Sequence, residues 1–77
     1  MVERMISINS IQKVKDFNAT VMKFDADFDL VSDRYVVDAK SIMGIFSLDL
    51  SKNIKLVIRA NEEDLEKIEI ELKQFYV

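Results

Sequence analysis

Apolar positions change their period several times along the chain, and each change predicts an element. Val2 to Ile8 is rich in β-favouring residues, with Ile6 and Ile8 on one face, and predicts a first strand. Asn9 and Ser10 follow, and either can cap a helix. Beyond them Ile11, Val14, Phe17 or Asn18, and Val21 recur at spacings of three and four, a single helical stripe with Gln12, Lys13, Lys15 and Asp16 on the wet side. The period then drops to two. Phe24, Ala26, Phe28 and Leu30 alternate with Asp25, Asp27, Asp29 and Val31, the pattern of a half-buried strand with an acidic outer face. Ser32-Asp33 predicts a tight turn into Arg34-Tyr35-Val36-Val37-Asp38, which closes a hairpin. Ile54, Leu56, Ile58 and Ala60 alternate with Lys55, Val57 and Arg59 as a fourth strand. Asn61 caps a final helix with Glu62, Glu63 and Asp64 near its positive end, and its buried stripe is Leu65, Ile68, Leu72 and Phe75.

The segment Ser41 to Leu48 fits neither simple pattern. It has room for about two helical turns before Asp49 and Ser51 end it. Ser41 stands where an N-cap belongs, with its hydroxyl able to accept from the amide of Met43 or Gly44. Behind it Ile42, Met43, Ile45, Phe46 and Leu48 spread around most of the helix circumference. A short helix on a sheet buries one stripe only. With Ile45 and Leu48 facing inward, Ile42, Met43 and Phe46 are left near the surface, and an exposed apolar cluster of this kind often marks a partner site; the alternative is that a neighbouring element buries all five.

The resulting order, β-α-β-β-α-β-α with a short middle helix, predicts an α+β open-faced sandwich, a four-stranded mainly antiparallel sheet with helices on one face. A length of 77 residues holds one core, so residues 1–77 form a single domain. One glycine and no proline leave no linker, and one glycine cannot make a phosphate-binding loop.

Composition removes several chemistries. The chain has no cysteine and no histidine, which excludes a disulfide frame, a thiol nucleophile, a Ser–His–Asp triad and phosphohistidine chemistry. A net charge of -3 argues against a nucleic-acid partner. No apolar run reaches the roughly 18–20 residues that span a bilayer, and Met-Val-Glu-Arg-Met is no signal-peptide start, so the expected address is the cytoplasm with no membrane contact. Asp25, Asp27 and Asp29 have the spacing that opens an EF-hand loop, but Leu30 stands where Gly belongs and Val36 where Glu belongs, so no metal site is expected. No cofactor and no enzymatic activity are expected either. The apolar Phe75-Tyr76-Val77 run either caps the core or seeds a homodimer.

Lys40-Ser41-Ile42-Met43-Gly44 with Ser47-Leu48 closely resembles the regulatory-serine segment of HPr, the histidine-containing phosphocarrier family of the bacterial sugar phosphotransferase system. Lys23-Phe24-Asp25-Ala26-Asp27 also resembles the HPr run between the first helix and the second strand. The family's phosphoryl-carrying histidine lies in a Gly-x-His-Ala-Arg-Pro motif. Counted back without gaps from Lys23, Ile8 replaces its Gly, Ser10 its His, Gln12 its Arg and Lys13 its Pro. The acceptor nitrogen and the guanidinium fork are both missing. A phosphoserine ester at Ser10 would lack the transfer potential of a phosphohistidine, so Ser10 is read as a helix cap.

At Ser41 the resemblance implies phosphorylation by an ATP-dependent serine kinase, then binding to a transcriptional regulator or a phosphotransferase component. Some HPr relatives keep this serine, lose the histidine and act as regulators only. The expected partner-binding residues are Lys40, Ile42, Met43 and Phe46. Two other readings stand beside this one: a phosphocarrier of sugar uptake, and a degenerate assembly domain that is never phosphorylated.

Overall fold

Ile6, Phe28, Leu30, Ile54, Leu56 and Ile58 share one face of a four-stranded antiparallel sheet, and the helices lie on that face. The computed structural model describes all 77 residues. Its elements are β1 (Val2–Ile6), α1 (Ile11–Val21), β2 (Asp27–Ser32), β3 (Tyr35–Asp38), α2 (Ile42–Phe46), β4 (Ile54–Arg59) and α3 (Glu62–Leu72), with a 3-10 turn at Lys73–Phe75 after them. The strand order is β1-β4-β2-β3, so β4 lies inside the sheet and the hairpin partner β3 takes one edge. This is the expected α+β open-faced sandwich with helices on one face.

The register explains the alternation. Ile58 faces Val2 on one side and Phe28 on the other, and Leu56 faces Arg4 and Leu30. Val14, Phe17 and Val21 of α1, Ile45 of α2, and Ile68 and Leu72 of α3 close over this face in one cluster of 16 buried residues. Phe17 meets Phe75 edge to face, ring centroids 5.4 Å apart, an arrangement that adds to the area they bury.

Several local expectations are corrected. The first strand ends at Ile6, although Ile8 beyond it is buried. The second strand begins at Asp27, because Lys23 and Phe24 turn back to α1 through amide bonds to Thr20 and Val21. The hairpin turn is Asp33-Arg34, with Ser32 already paired to Tyr35, and Asp33 takes a left-handed φ of 53°. Ile11, expected in the core stripe, is exposed. Phe75 is buried but in the 3-10 turn instead of the last helix.

Val57, expected on the wet side, is only 6% exposed although no helix covers its face. Its cross-strand neighbours are Glu3 and Asp29, which pair with Lys55 and Arg59. The aliphatic stems of these pairs shield it, as long charged side chains do on apolar surface.

The apolar run at 75–77 caps the core. The Ser7 amide donates to the Phe75 carbonyl at 2.9 Å and the Val77 amide to the Met5 carbonyl at 3.0 Å, so this run lies antiparallel along the outer edge of β1. The Tyr76 hydroxyl donates to Glu69 at 3.1 Å, and Arg4 also grips Glu69. Partial burial and this hydrogen bond push the Tyr76 hydroxyl up to about 12.

Candidate functional site

Two helix starts carry the residues singled out from the sequence. At the first, Ser10 is exposed and in extended backbone, and its hydroxyl accepts the Lys13 amide at 3.1 Å. The Lys13 ammonium folds back to the Asn9 side-chain oxygen at 3.3 Å, and Gln12 bonds Asp16 at 2.8 Å. Ser10, Gln12 and Lys13 therefore cap and brace α1. A serine hydroxyl here can form only an ester, and no guanidinium stands beside it.

At the second, the Ser41 hydroxyl accepts the Gly44 amide at 3.2 Å, one of the two cap bonds expected from the sequence. The residue is exposed, and the run leading to it is fixed from several sides. Ser41 donates its amide to the Asp38 carbonyl at 2.9 Å, and the Asp38 carboxylate accepts the Lys40 amide at 2.9 Å. Ala39 is fully buried, donates to the Phe28 carbonyl at 2.8 Å and accepts from the Asn18 side chain at 3.2 Å. The far end is closed by Ser47, whose hydroxyl donates to the Gly44 carbonyl at 2.6 Å. Asp49 then accepts both the hydroxyl and the amide of Ser51, which hold its carboxyl below the ordinary range.

The apolar residues of α2 divide as one stripe demands. Ile45 and Leu48 are buried and Ile42 is half-buried. Met43 is 77% exposed and Phe46 41% exposed. Met43 and Phe46 thus lie exposed on the same short helix that the exposed Ser41 caps.

Lys40 goes elsewhere. Its ammonium donates to the Phe24 carbonyl at 2.7 Å, lies 5.9 Å from the Phe28 ring centroid, and makes no hydrogen bond to Ser41. With Arg59 and Asp27 it lines a shallow recess of about 190 Å³ near the start of β2.

Two further exposed apolar residues, not singled out from the sequence, lie on α1 and at its C-cap. Ile11 and Met22 are 65% and 58% exposed. With Lys15 and Asn18 they fall at i, i+4, i+7 and i+11, one flank of α1. Asn18 bonds Ala39 just before α2, so this flank turns toward α2. The spacing was visible, but Ile11 also fits the core stripe, and that assignment hid the flank.

A small sheet backed by helices, with a capped serine at the exposed start of its short helix, is the architecture of a phosphoryl-carrier domain and its relatives. The family described as "PTS HPr component phosphorylation site" matches residues 11–76. The crystal structure of HPr-C-His from Thermoanaerobacter tengcongensis aligns at 32% identity with a TM-score of 0.75, covering 96% of this chain and 92% of that one. The histidine-containing phosphocarrier protein of Mycoplasma aligns with a TM-score of 0.68 at 14% identity, over 95% of this chain and 91% of that one, a likeness of fold alone. No curated protein sequence matches the chain at a significant level. The chain belongs to the HPr family of the phosphotransferase system.

Members of that family are phosphocarriers that interact with phosphotransferase components and are not catalytic enzymes. No helix of the chain is long and apolar enough to cross a membrane.

Proposed function

We propose that this protein is a regulatory, interacting member of the HPr family, switched by phosphorylation of Ser41 and unable to carry phosphohistidine. The observation that carries the reading is the contrast between the two helix starts. The first has no imidazole, since the sequence has no histidine, and its Ser10 is a helix cap. The second presents the exposed Ser41 beside the exposed Met43 and Phe46.

A kinase would transfer the γ-phosphoryl group of ATP to the Ser41 oxygen, with the hydroxyl proton passing to the enzyme's base and ADP leaving. The product adds about 1.5–2 negative charges beside an apolar patch without demanding a new fold. A transcriptional regulator or phosphotransferase component that covers Ile42, Met43 and Phe46 would read that charge. The protein would act in the cytoplasm.

Incubation with ATP and an HPr-family serine kinase tests this. Label on the wild type and none on Ser41→Ala is the expected result, and an unlabelled wild type overturns the regulatory reading. Phosphoenolpyruvate with the first enzyme of the relay should leave the protein unlabelled. Acid-labile label in that second reaction would overturn the claim that it cannot act as a carrier.

A further inference from the structure

Lys40 sits next to the proposed modification site in sequence, yet its charged end is spent on the other side of the segment. The ammonium donates to the Phe24 carbonyl at 2.7 Å and packs over the Phe28 ring. Phe24 belongs to the turn between α1 and β2, where its own amide goes to the Val21 carbonyl at 3.3 Å. One lysine therefore ties the end of α1 to the start of α2. Its acceptor is a backbone carbonyl, which no side-chain change at position 24 can remove. Charge-assisted hydrogen bonds are the stronger kind, and the half-buried setting of Lys40 keeps water from replacing this one freely.

Ser41 follows this tie directly in the chain. The serine is the next residue along the same turn, held by its amide to Asp38 and by its hydroxyl to Gly44. The helix it caps has five residues, too few to hold its own geometry without tertiary anchors. Ala39 and, within the helix, Ile45 supply apolar anchors, and Lys40 supplies a charged one.

We propose that Lys40 is the positioning residue of the Ser41 segment, fixing the serine hydroxyl in its cap geometry through Phe24, and that it contacts neither a phosphate on Ser41 nor a partner. Its consequence for signalling rests on the reading of Ser41 as the modified residue; the clamp itself is measurable without any kinase. Amide hydrogen exchange on the uniformly labelled protein compares wild type, Lys40→Met, Lys40→Arg and Lys23→Met. Lys40→Met keeps the apolar stem and loses the ammonium. Lys23→Met removes a surface ion pair from the same turn, the one to Glu71 at 2.8 Å, and serves as the control.

In Lys40→Met the Ser41 and Gly44 amides should exchange about tenfold faster or more, measured against the β4 amides of the same sample. Lys40→Arg should recover most of the protection, and Lys23→Met should leave it unchanged. Equal exchange in Lys40→Met and wild type overturns the proposal. A second measurement works in a protein that keeps Lys40. The scalar coupling across the hydrogen bond between the Lys40 ammonium and the Phe24 carbonyl should persist in Ser41→Asp and in the phosphorylated protein. Loss of that coupling when charge is placed on residue 41 would make Lys40 a ligand of the phosphate and overturn the clamp. An unlabelled Ser41 in the kinase assay would overturn the proposed function and leave the exchange result standing.

Discussion

The Cβ that Gly44 lacks would stand 3.3 Å from the Ser41 hydroxyl oxygen, the same atom that accepts the Gly44 amide. It would also stand 3.4 Å from Cβ of Val37 on β3. The glycine is therefore spacing, not backbone freedom: its φ is negative and helical, and the room it leaves belongs to the serine. An alanine there gains the usual helix preference of about 1 kcal/mol over glycine. It must then displace a hydroxyl held in a cap or a side chain fixed to a strand.

Gly44→Ala should accordingly lose the helix gain and end slightly less stable than wild type, by no more than about 1 kcal/mol. Its clearer effect is on Ser41, whose phosphorylation should slow. Denaturant melts and a kinase time course on the same preparation check both halves.

Ser41→Ala removes the acceptor for the Gly44 amide and should cost roughly 0.5–2 kcal/mol. Ser41→Asp keeps an acceptor at the cap, and a carboxylate is favourable at a helix start, so its stability should stay within about 1 kcal/mol of wild type. Thermal melts at one ionic strength rank the three proteins.

Met43→Ala and Ile45→Ala are two positions apart and should behave oppositely. Met43 is largely exposed, and its truncation should change stability by about 0.5 kcal/mol or less while weakening partner binding. Ile45 is fully buried, and its truncation should cost about 2–5 kcal/mol. A core-sized loss from Met43→Ala would show that the patch is packing.

Tyr76 gives the fold an alkaline limit. Its folded value lies near 12 against an ordinary 10.0, so the stability it contributes is complete below about pH 10 and is lost as pH rises toward 12. Denaturant midpoints taken across that window should fall more steeply for wild type than for Tyr76→Phe. Below pH 10 the substitution should cost about 1 kcal/mol, the worth of a partly solvated hydrogen bond to Glu69.

Asp33 holds φ at 53° in a two-residue turn. Aspartate tolerates this region and a β-branched residue does not, so Asp33→Val should cost about 1–2 kcal/mol. Asp33→Gly should be neutral or slightly stabilising. Urea melts distinguish the two.

Where one physical rule acts alone, the sequence was readable. Val14 and Val21 have no competing pattern and both are buried. Ser41 stands before an apolar run and Asn61 before an acidic first turn, and both cap helices; of Asn9 and Ser10 it is Ser10 that caps α1. The family segment around Ser41 was legible because it clusters unusual residues in a fixed order. Misreadings arose where two rules overlapped. Phe24 fits the alternation of β2, yet the chain is still leaving α1 there, and two turn hydrogen bonds outweigh a propensity. Ile11 fits the core stripe by spacing, but Val14, Phe17 and Val21 fill that stripe and Ile11 lies exposed at the helix start. Val57 depends on two ion pairs whose partners lie on other strands, at distances in sequence that no local window spans. The direction of Lys40 is of the same kind, set by a carbonyl 16 residues earlier.

The strand order also governs when the first strand can be used during synthesis. β1 pairs with β4 and with residues 75–77, and with nothing made earlier. While the β2–β3 hairpin can close as soon as Tyr35–Asp38 has emerged, Val2–Ile6 must wait, its backbone unpaired, until Ile54–Arg59 is made. Pairings this distant in sequence slow folding and leave strand edges open to other chains in the interval. Glu3 and Arg4, both exposed within β1, place charges on the segment that waits longest, and such charges discourage a nascent strand from joining a neighbour's sheet before its own is complete.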